Sequence, residues 1–280
     1  VTTRPGTTGH DPRFARLRRL VGDEGLARLR DSFVAVVGLG ATGSYCVEAL
    51  ARAGVGRLRV VDFDLVRPSN INRQLYALES TLGQAKAGIA AARIADINPS
   101  CRVEALQLFV HGDTLDRVLE GGPRVVVDAI DSLGPKVELL AGAAARGQPI
   151  LSLMGAALRT DPALIRTGTL AEVHHCPLAA RVRKALRKRG ISLEIPVVYS
   201  VEPVHLLPPT AVGSDGDEAE DLHARGRRRR VLGSLPTLTG IIGLTAANLV
   251  IRQILGGAGG GASAGRRAPE SCLLGVLRKQ

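Results

Sequence analysis

From Phe33 to Gly43 the chain reads FVAVVGLGATG, a continuous apolar run closed by glycines. Such a run predicts a strand buried on both faces, as in a parallel sheet. Ahead of it, residues 13–32 place Phe14, Leu17, Leu20, Leu26 and Leu29 near helical spacing and predict one or two short helices. Behind it, SYCVEALARAG predicts a helix that stops at Gly54, and RLRVVDFD predicts a second strand. The same reading gives a helix over Gln84–Ile97, ended by Asn98-Pro99, and a strand region over 101–110. Next come a helix at 114–121, a strand at 124–131, a helix at 136–146 and a strand at 149–153. This alternation predicts an α/β fold: a Rossmann-like, doubly wound, mainly parallel sheet with helices on both faces.

The pattern changes after Gly155. A basic helix (PLAARVRKALRKRG, 177–190) precedes a strand, PVVYSVEP. Residues 208–230 combine Pro-Pro, an acidic cluster at Asp215–Asp221, and Arg225 with Arg227–Arg230, which predicts a mobile, solvated loop. Residues 235–255 form the most apolar stretch, but Thr239, Thr245, Asn248, Arg252 and Gln253 interrupt it. A membrane span needs about 20 mostly apolar residues, so a core helix is the expectation. The chain thus divides into a polar lead at 1–12, a folded domain at 13–255, and a flexible Gly-rich C-terminal extension at 256–280.

Composition narrows the classes. Apolar residues make up 45% of the 280, enough for a sizeable core, which excludes global disorder. Lys and Arg number 37 against 26 Asp and Glu, a net charge of +11 that favours a polyanionic partner. Aromatics are only 2%, with no Trp, so base stacking on an aromatic platform is not expected. Cys46, Cys101, Cys176 and Cys272 form no C-x-x-C pair, which argues against zinc and against a dithiol redox site. No signal-like apolar leader is evident, and the cytoplasm is the expected location.

Gly38-x-Gly40-Ala41-x-Gly43 lies between a predicted strand and a predicted helix. Glycine lets a backbone approach phosphates, and a helix N-terminus supplies oriented N–H groups. Asp62, twenty-two residues past Gly40, ends the next strand, where a carboxylate can hold ribose hydroxyls. Alone, this pattern also fits an NAD-binding oxidoreductase. The next stretch of chain does not: Asp64, Asn70, Asn72, Arg73 and Gln74 cluster, and Lys86 lies thirteen residues beyond Arg73. A triphosphate carries about four charges and calls for Arg, Lys and a metal.

G-x-G-x-x-G, D-F-D, S-N-x-x-R-Q, G-x-x-K and D-A-I-D-S, in this order, resemble the adenylating domain of the ubiquitin-activating-enzyme superfamily, the ThiF-type adenylyltransferases. That resemblance implies that Asp62 holds the ribose of ATP. It implies phosphate contacts from Asn70, Arg73 and Lys86, and Mg²⁺ binding by Asp131. Gly38, Gly40, Ala41, Gly43, Asp64 and Gln74 complete the nucleotide set. It further implies a homodimer in which Arg16 or Arg19 reaches the partner's ATP.

The second half, with MGAALRTDPALIRTGTLAEVHHCP, PVVYSVEP and GSLPTLTGIIGL, looks like the tRNA threonylcarbamoyladenosine dehydratases. The implied reaction adenylates the threonyl carboxylate of N6-threonylcarbamoyladenosine at position 37 of tRNA, then closes a ring with net loss of water. The implied partners are tRNA and, as an option, sulfur-relay helper proteins, without zinc. On the basic helix, Leu178, Val182, Ala185 and Leu186 mark an inward face. Arg181, Arg183, Lys184, Arg187, Lys188 and Arg189 are expected to project outward, where Arg181, Lys184, Arg187 and Lys188 would meet tRNA phosphates. The alternative is activation of the C-terminus of a ubiquitin-like sulfur-carrier protein. The missing zinc cysteines and the basic helix count against it, and Cys176 is expected to be a small buried or bystander thiol rather than an acceptor.

Overall fold

The computed structural model describes residues 11–204 and 232–256. The expected loop at 208–230, the lead except its last two residues, the C-terminal extension beyond Gly256, and Cys272 lie outside the described residues.

One seven-stranded sheet organises the chain. Its strands are β1 (Phe33–Val37), β2 (Arg57–Val61), β3 (Arg102–Leu106), β4 (Val125–Asp128), β5 (Ile150–Leu153), β6 (Ile165–Thr169) and β7 (Pro196–Ser200), in the order β3-β2-β1-β4-β5-β7-β6. All neighbours run parallel except β6, which pairs antiparallel with β7 at the edge. β6 has no counterpart in the sequence-based expectation. Its residues, IRTGT, are polar or small at alternate positions and sit in an edge strand, so no continuous apolar run marks them.

The helices are α1 (Ala15–Arg30), α2 (Gly43–Arg52), α3 (Lys86–Ile97), α4 (Leu115–Leu119), α5 (Leu133–Ala145), α6 (Pro177–Lys188) and α7 (Pro236–Ile254). Strand residues alternate between two cores, as the pleat requires. Val34 and Val36 of β1 pack with Leu50 of α2, Ile94 of α3 and Ile242 of α7. Ala35 and Val37 face Val118 of α4 and Leu139 of α5 on the opposite side. A third cluster packs Val182 and Leu186 of α6 against Val197 and Tyr199 of β7. Helices therefore cover both faces, as expected.

α1 is two helical pieces joined at Gly22, whose φ of 74° breaks the ladder. The break corrects the expected stripe. Phe14, Leu26 and Leu29 are buried, whereas Leu20 is 83% exposed. Helical spacing extrapolated across the break assigns Leu20 to the wrong face.

α7 is the expected core helix. Leu238, Ile242, Ala246, Val250 and Ile254 are buried. It lies close against α2: a Cβ on Gly243 would come within 2.2 Å of the Thr42 carbonyl oxygen. α7 thus braces the start of α2, where the glycine turn ends. Neighbouring residues on α7 report on that role. Ile242→Ala should cost about 2–5 kcal/mol, as for other buried aliphatic truncations. Ile241→Ala, at a 37% exposed position, should cost under about 1 kcal/mol in the same denaturant titration.

Candidate functional site

β1 lies between β2 and β4, so the chain winds away from it in both directions. In open parallel sheets such a switch point leaves a crevice at the carboxyl ends of the strands. Three segments meet there: the Gly38–Gly43 turn after β1, Asp62 after β2, and Asp128–Asp131 at the end of β4.

The glycines of the turn differ in why they are glycines. Gly38 has φ of 93°, and a Cβ there would sit 2.8 Å from the Ala129 carbonyl. A Cβ on Gly43 would lie 1.8 Å from the Gly38 carbonyl oxygen. Both are demanded by the fold. Gly40 is not: its φ is not in the left-handed region, and the nearest atom to an added Cβ is Gln74 Nε2 at 3.8 Å. The space beside Gly40 is open to a ligand. Ala41 is part-buried in the same turn.

Asp62 is buried, and each of its carboxylate oxygens accepts one backbone N–H. Leu39 N–H donates to Oδ2 at 2.7 Å and Asp64 N–H to Oδ1 at 2.9 Å. Burial pushes its pKa above the usual carboxylate value, while Lys86 and the two N–H groups pull it back. An ionised Asp62 therefore costs stability, by an amount that grows as pH rises from 3.8 through the raised value. Such a residue, held oriented at a cost to the fold, is a candidate for function.

Residues 64–86 form a loop that closes on itself. Val66 N–H donates to the Gln84 carbonyl and Lys86 N–H to the Asp64 carbonyl. Closure sets the Lys86 ammonium 3.1 Å from the Asp64 carboxylate. Lys86 is buried at the first turn of α3, not on a solvated helix face. Asn70 is buried in a 3₁₀ turn; its side-chain oxygen accepts the Arg67 N–H, and its carbonyl accepts those of Arg73 and Gln74. The Arg73 guanidinium donates to the Ser69 carbonyl and the Asn72 side chain.

Ser44, a residue that no motif singled out, ties this loop to the glycine turn. Its hydroxyl donates to the Gly40 carbonyl at 2.7 Å and accepts the Leu75 N–H at 3.2 Å. Only the fold places it between the two, since serine after G-x-G-x-x-G has no signal of its own.

Asp131 lies exposed just beyond β4. Arg16 and Arg19 lie on the exposed side of α1, and the structure does not join them to the crevice. On α6, Arg181, Lys184, Arg187 and Lys188 are exposed as expected. Arg189 is exposed as expected though paired, whereas the half-buried Arg183 is a correction. The Arg183 guanidinium folds back to donate to the Leu170 and Val173 carbonyls, and Arg189 pairs with Glu138 at 2.6 Å. Both long side chains find partners on neighbouring segments, which helical projection alone does not reveal.

The described cysteines offer no acceptor thiol in an activating setting. Burial raises Cys46 to about 12 and Cys101 to about 11. Cys176 is buried, and its sulfur accepts the Ala179 N–H at the start of α6. Among the described residues, no three His, Cys, Asp or Glu side chains converge to hold a metal.

Comparison with known proteins agrees with this layout. The ThiF family model matches residues 14–269. A tRNA threonylcarbamoyladenosine dehydratase of Bacillus subtilis is 42% identical over 74% of this chain and 82% of its own length. That of Haemophilus influenzae is 32% identical over 91% of this chain and 98% of its own. Among solved structures, the Escherichia coli tRNA N6-threonylcarbamoyladenosine dehydratase in complex with AMP matches with a TM-score of 0.76. It is 33% identical over 87% of this chain and 94% of that one. The same E. coli enzyme in complex with ATP matches at 0.75 and 32% identity. With its two-way wound sheet, its glycine turn and this similarity along most of its length, the chain belongs to the ThiF family and groups there with the tRNA threonylcarbamoyladenosine dehydratases.

Proposed function

We propose that this chain is an ATP-dependent tRNA threonylcarbamoyladenosine dehydratase. The observation that carries the reading is the crevice itself, in a chain similar to such dehydratases over nine-tenths of its length. Supporting it are the open space beside Gly40, the oriented Asp62 and the buried Lys86–Asp64 pair, with Asp131 following the carboxyl end of β4.

In this reading Asp62 accepts the ribose hydroxyls with the lone pairs its two N–H donors leave free. The backbone of Gly38, Gly40, Ala41 and Gly43, at the start of α2, faces the phosphates. Asn70, Arg73, Gln74 and Lys86 add donors, and Lys86 exchanges part of its contact with Asp64 for phosphate oxygen. Asp131 would hold Mg²⁺ through its carboxylate, a hard oxygen donor of the kind this ion takes. That ion would neutralise charge on the departing pyrophosphate.

The threonyl carboxylate attacks the α-phosphorus of ATP and pyrophosphate leaves. Arg73 and Lys86 stabilise the charge that builds on the phosphates. An atom of the same modification then attacks the activated carbonyl, the ring closes and AMP leaves. The net change in the nucleoside is loss of one water. Attack within one molecule already has a high effective concentration, so no enzyme thiol is needed. Arg16 or Arg19 completes the site from a second copy in a homodimer. The exposed cations of α6 neutralise tRNA phosphates without reading sequence. Both substrates favour the cytoplasm as the location of the reaction.

The reading is tested by incubating the protein with ATP, Mg²⁺ and tRNA bearing threonylcarbamoyladenosine, then analysing the nucleosides by mass spectrometry. Loss of one water from the modified adenosine is expected. An unchanged nucleoside, with pyrophosphate released on addition of a carrier protein ending in Gly-Gly, would transfer the chain to the sulfur-carrier branch.

Asp131→Ala and Arg73→Ala should keep the wild-type circular dichroism and melting curve. Each should lower pyrophosphate release by about tenfold or more. Changing Arg181, Lys184, Arg187 and Lys188 together to Gln should raise the KM for tRNA at least about tenfold and flatten its salt dependence. The KM for ATP should stay the same in that variant.

A further inference from the structure

Asp128 and Lys136 are both fully buried and form an ion pair of 2.8 Å. The site as described does not use either one. Removing two charges from water is costly, and an apolar pair of the same volume would commonly serve a core as well or better. The reason for such a pair is to be sought in what its hydrogen bonds hold.

They hold the residue that precedes Asp131. The Asp128 Oδ1 accepts the Ile130 N–H at 3.1 Å. The Lys136 ammonium donates to the Ile130 carbonyl at 2.9 Å. Both polar groups of one residue are thus gripped by the two members of one ion pair. The pair is itself anchored. Ser152, which stands opposite Asp128 in the β4–β5 register, donates its hydroxyl to Asp128 Oδ2 at 2.6 Å. Lys136 also donates to the Leu153 carbonyl at 2.9 Å. On the other side, the Ala129 N–H donates to the Val37 carbonyl, and the Ala129 carbonyl leaves no room for a Cβ at Gly38. The path of the backbone into Asp131 is therefore fixed against β1, β4, β5 and the glycine turn at once.

We propose that the Asp128–Lys136 pair, seated by Ser152, is a positioning element that sets Asp131 against the β- and γ-phosphates of the nucleotide; this rests on the assignment of Asp131 above. The pair touches no substrate. It acts through the Ile130 peptide, and it leaves the ribose anchor at Asp62 untouched.

The test compares the affinities of Mg²⁺-ATP and AMP for the full chain by isothermal titration calorimetry. Because losing either partner alone strands a buried charge, the variant is the double neutral one, Asp128→Asn with Lys136→Met. It should keep AMP affinity within about threefold and lose at least about tenfold for Mg²⁺-ATP. Asp131→Ala should show the same split. Should the double variant fail to fold, Ser152→Ala, which keeps the ion pair, should still lose about threefold for Mg²⁺-ATP relative to AMP.

A folded variant with unchanged Mg²⁺-ATP affinity would overturn the proposal, as would equal losses for both nucleotides, which would mean collapse of the whole pocket. If Asp131→Ala itself changed neither affinity, the Asp131 assignment would fall first and the proposal with it.

Discussion

The exit of β1 is the constraint on which the rest of the structure depends. A parallel strand buried on both faces must end inside the protein, between two neighbours that also end there. The chain can turn only where side chains are missing, and Gly38 and Gly43 mark those places, one against Ala129 and the other against Gly38 itself. Once that turn is made, α2 must start beside it, and α7 holds α2 there by close approach at Gly243. The crevice at the switch point is what this packing leaves over, not a hollow added to it.

Charges around the crevice are placed where water is scarce. Asp62, Lys86, Asp128 and Lys136 are all buried. Each has partners: Asp62 two backbone N–H groups, Lys86 the Asp64 carboxylate, and the last two each other. Burial of this kind stabilises little by itself, since desolvation offsets the Coulomb attraction. What it provides is a set of charges whose partners fix their positions around the glycine turn, the preorganisation that the proposed function calls for. The cost to the fold is visible in the raised pKa of Asp62.

The opposite logic holds at α6. There, Ala179, Val182 and Leu186 bury one face, and four cations stand in solvent on the other. Exposed charges gain little from one another in water, but together they suit a partner that carries many phosphates. The protein thus divides its cations by task. In the proposed function the buried ones shape a small site, and the exposed ones would supply long-range attraction for tRNA. Arg183 and Arg189 belong to neither group, since each ties α6 to an adjacent segment.

The strand–helix alternation, the glycine turn and the order of the nucleotide motifs were legible in the chain alone. Each depends on residues close in sequence: the period of apolar positions, a missing Cβ, a carboxylate at a strand end. The core character of α7 was legible too, from the polar residues that interrupt it. Leu20, β6, Ser44 and the partners of Arg183 were not. Leu20 changes face because one glycine breaks the helix, and β6 exists because β7 offers it an edge. Lys136 reads as an ordinary helix lysine until β4 and β5 are laid side by side. Local patterning settled which elements form, because it acts through neighbours along the chain. Which charges meet, and so what the crevice can hold, was decided only by tertiary structure, because those contacts join residues that the sequence keeps far apart.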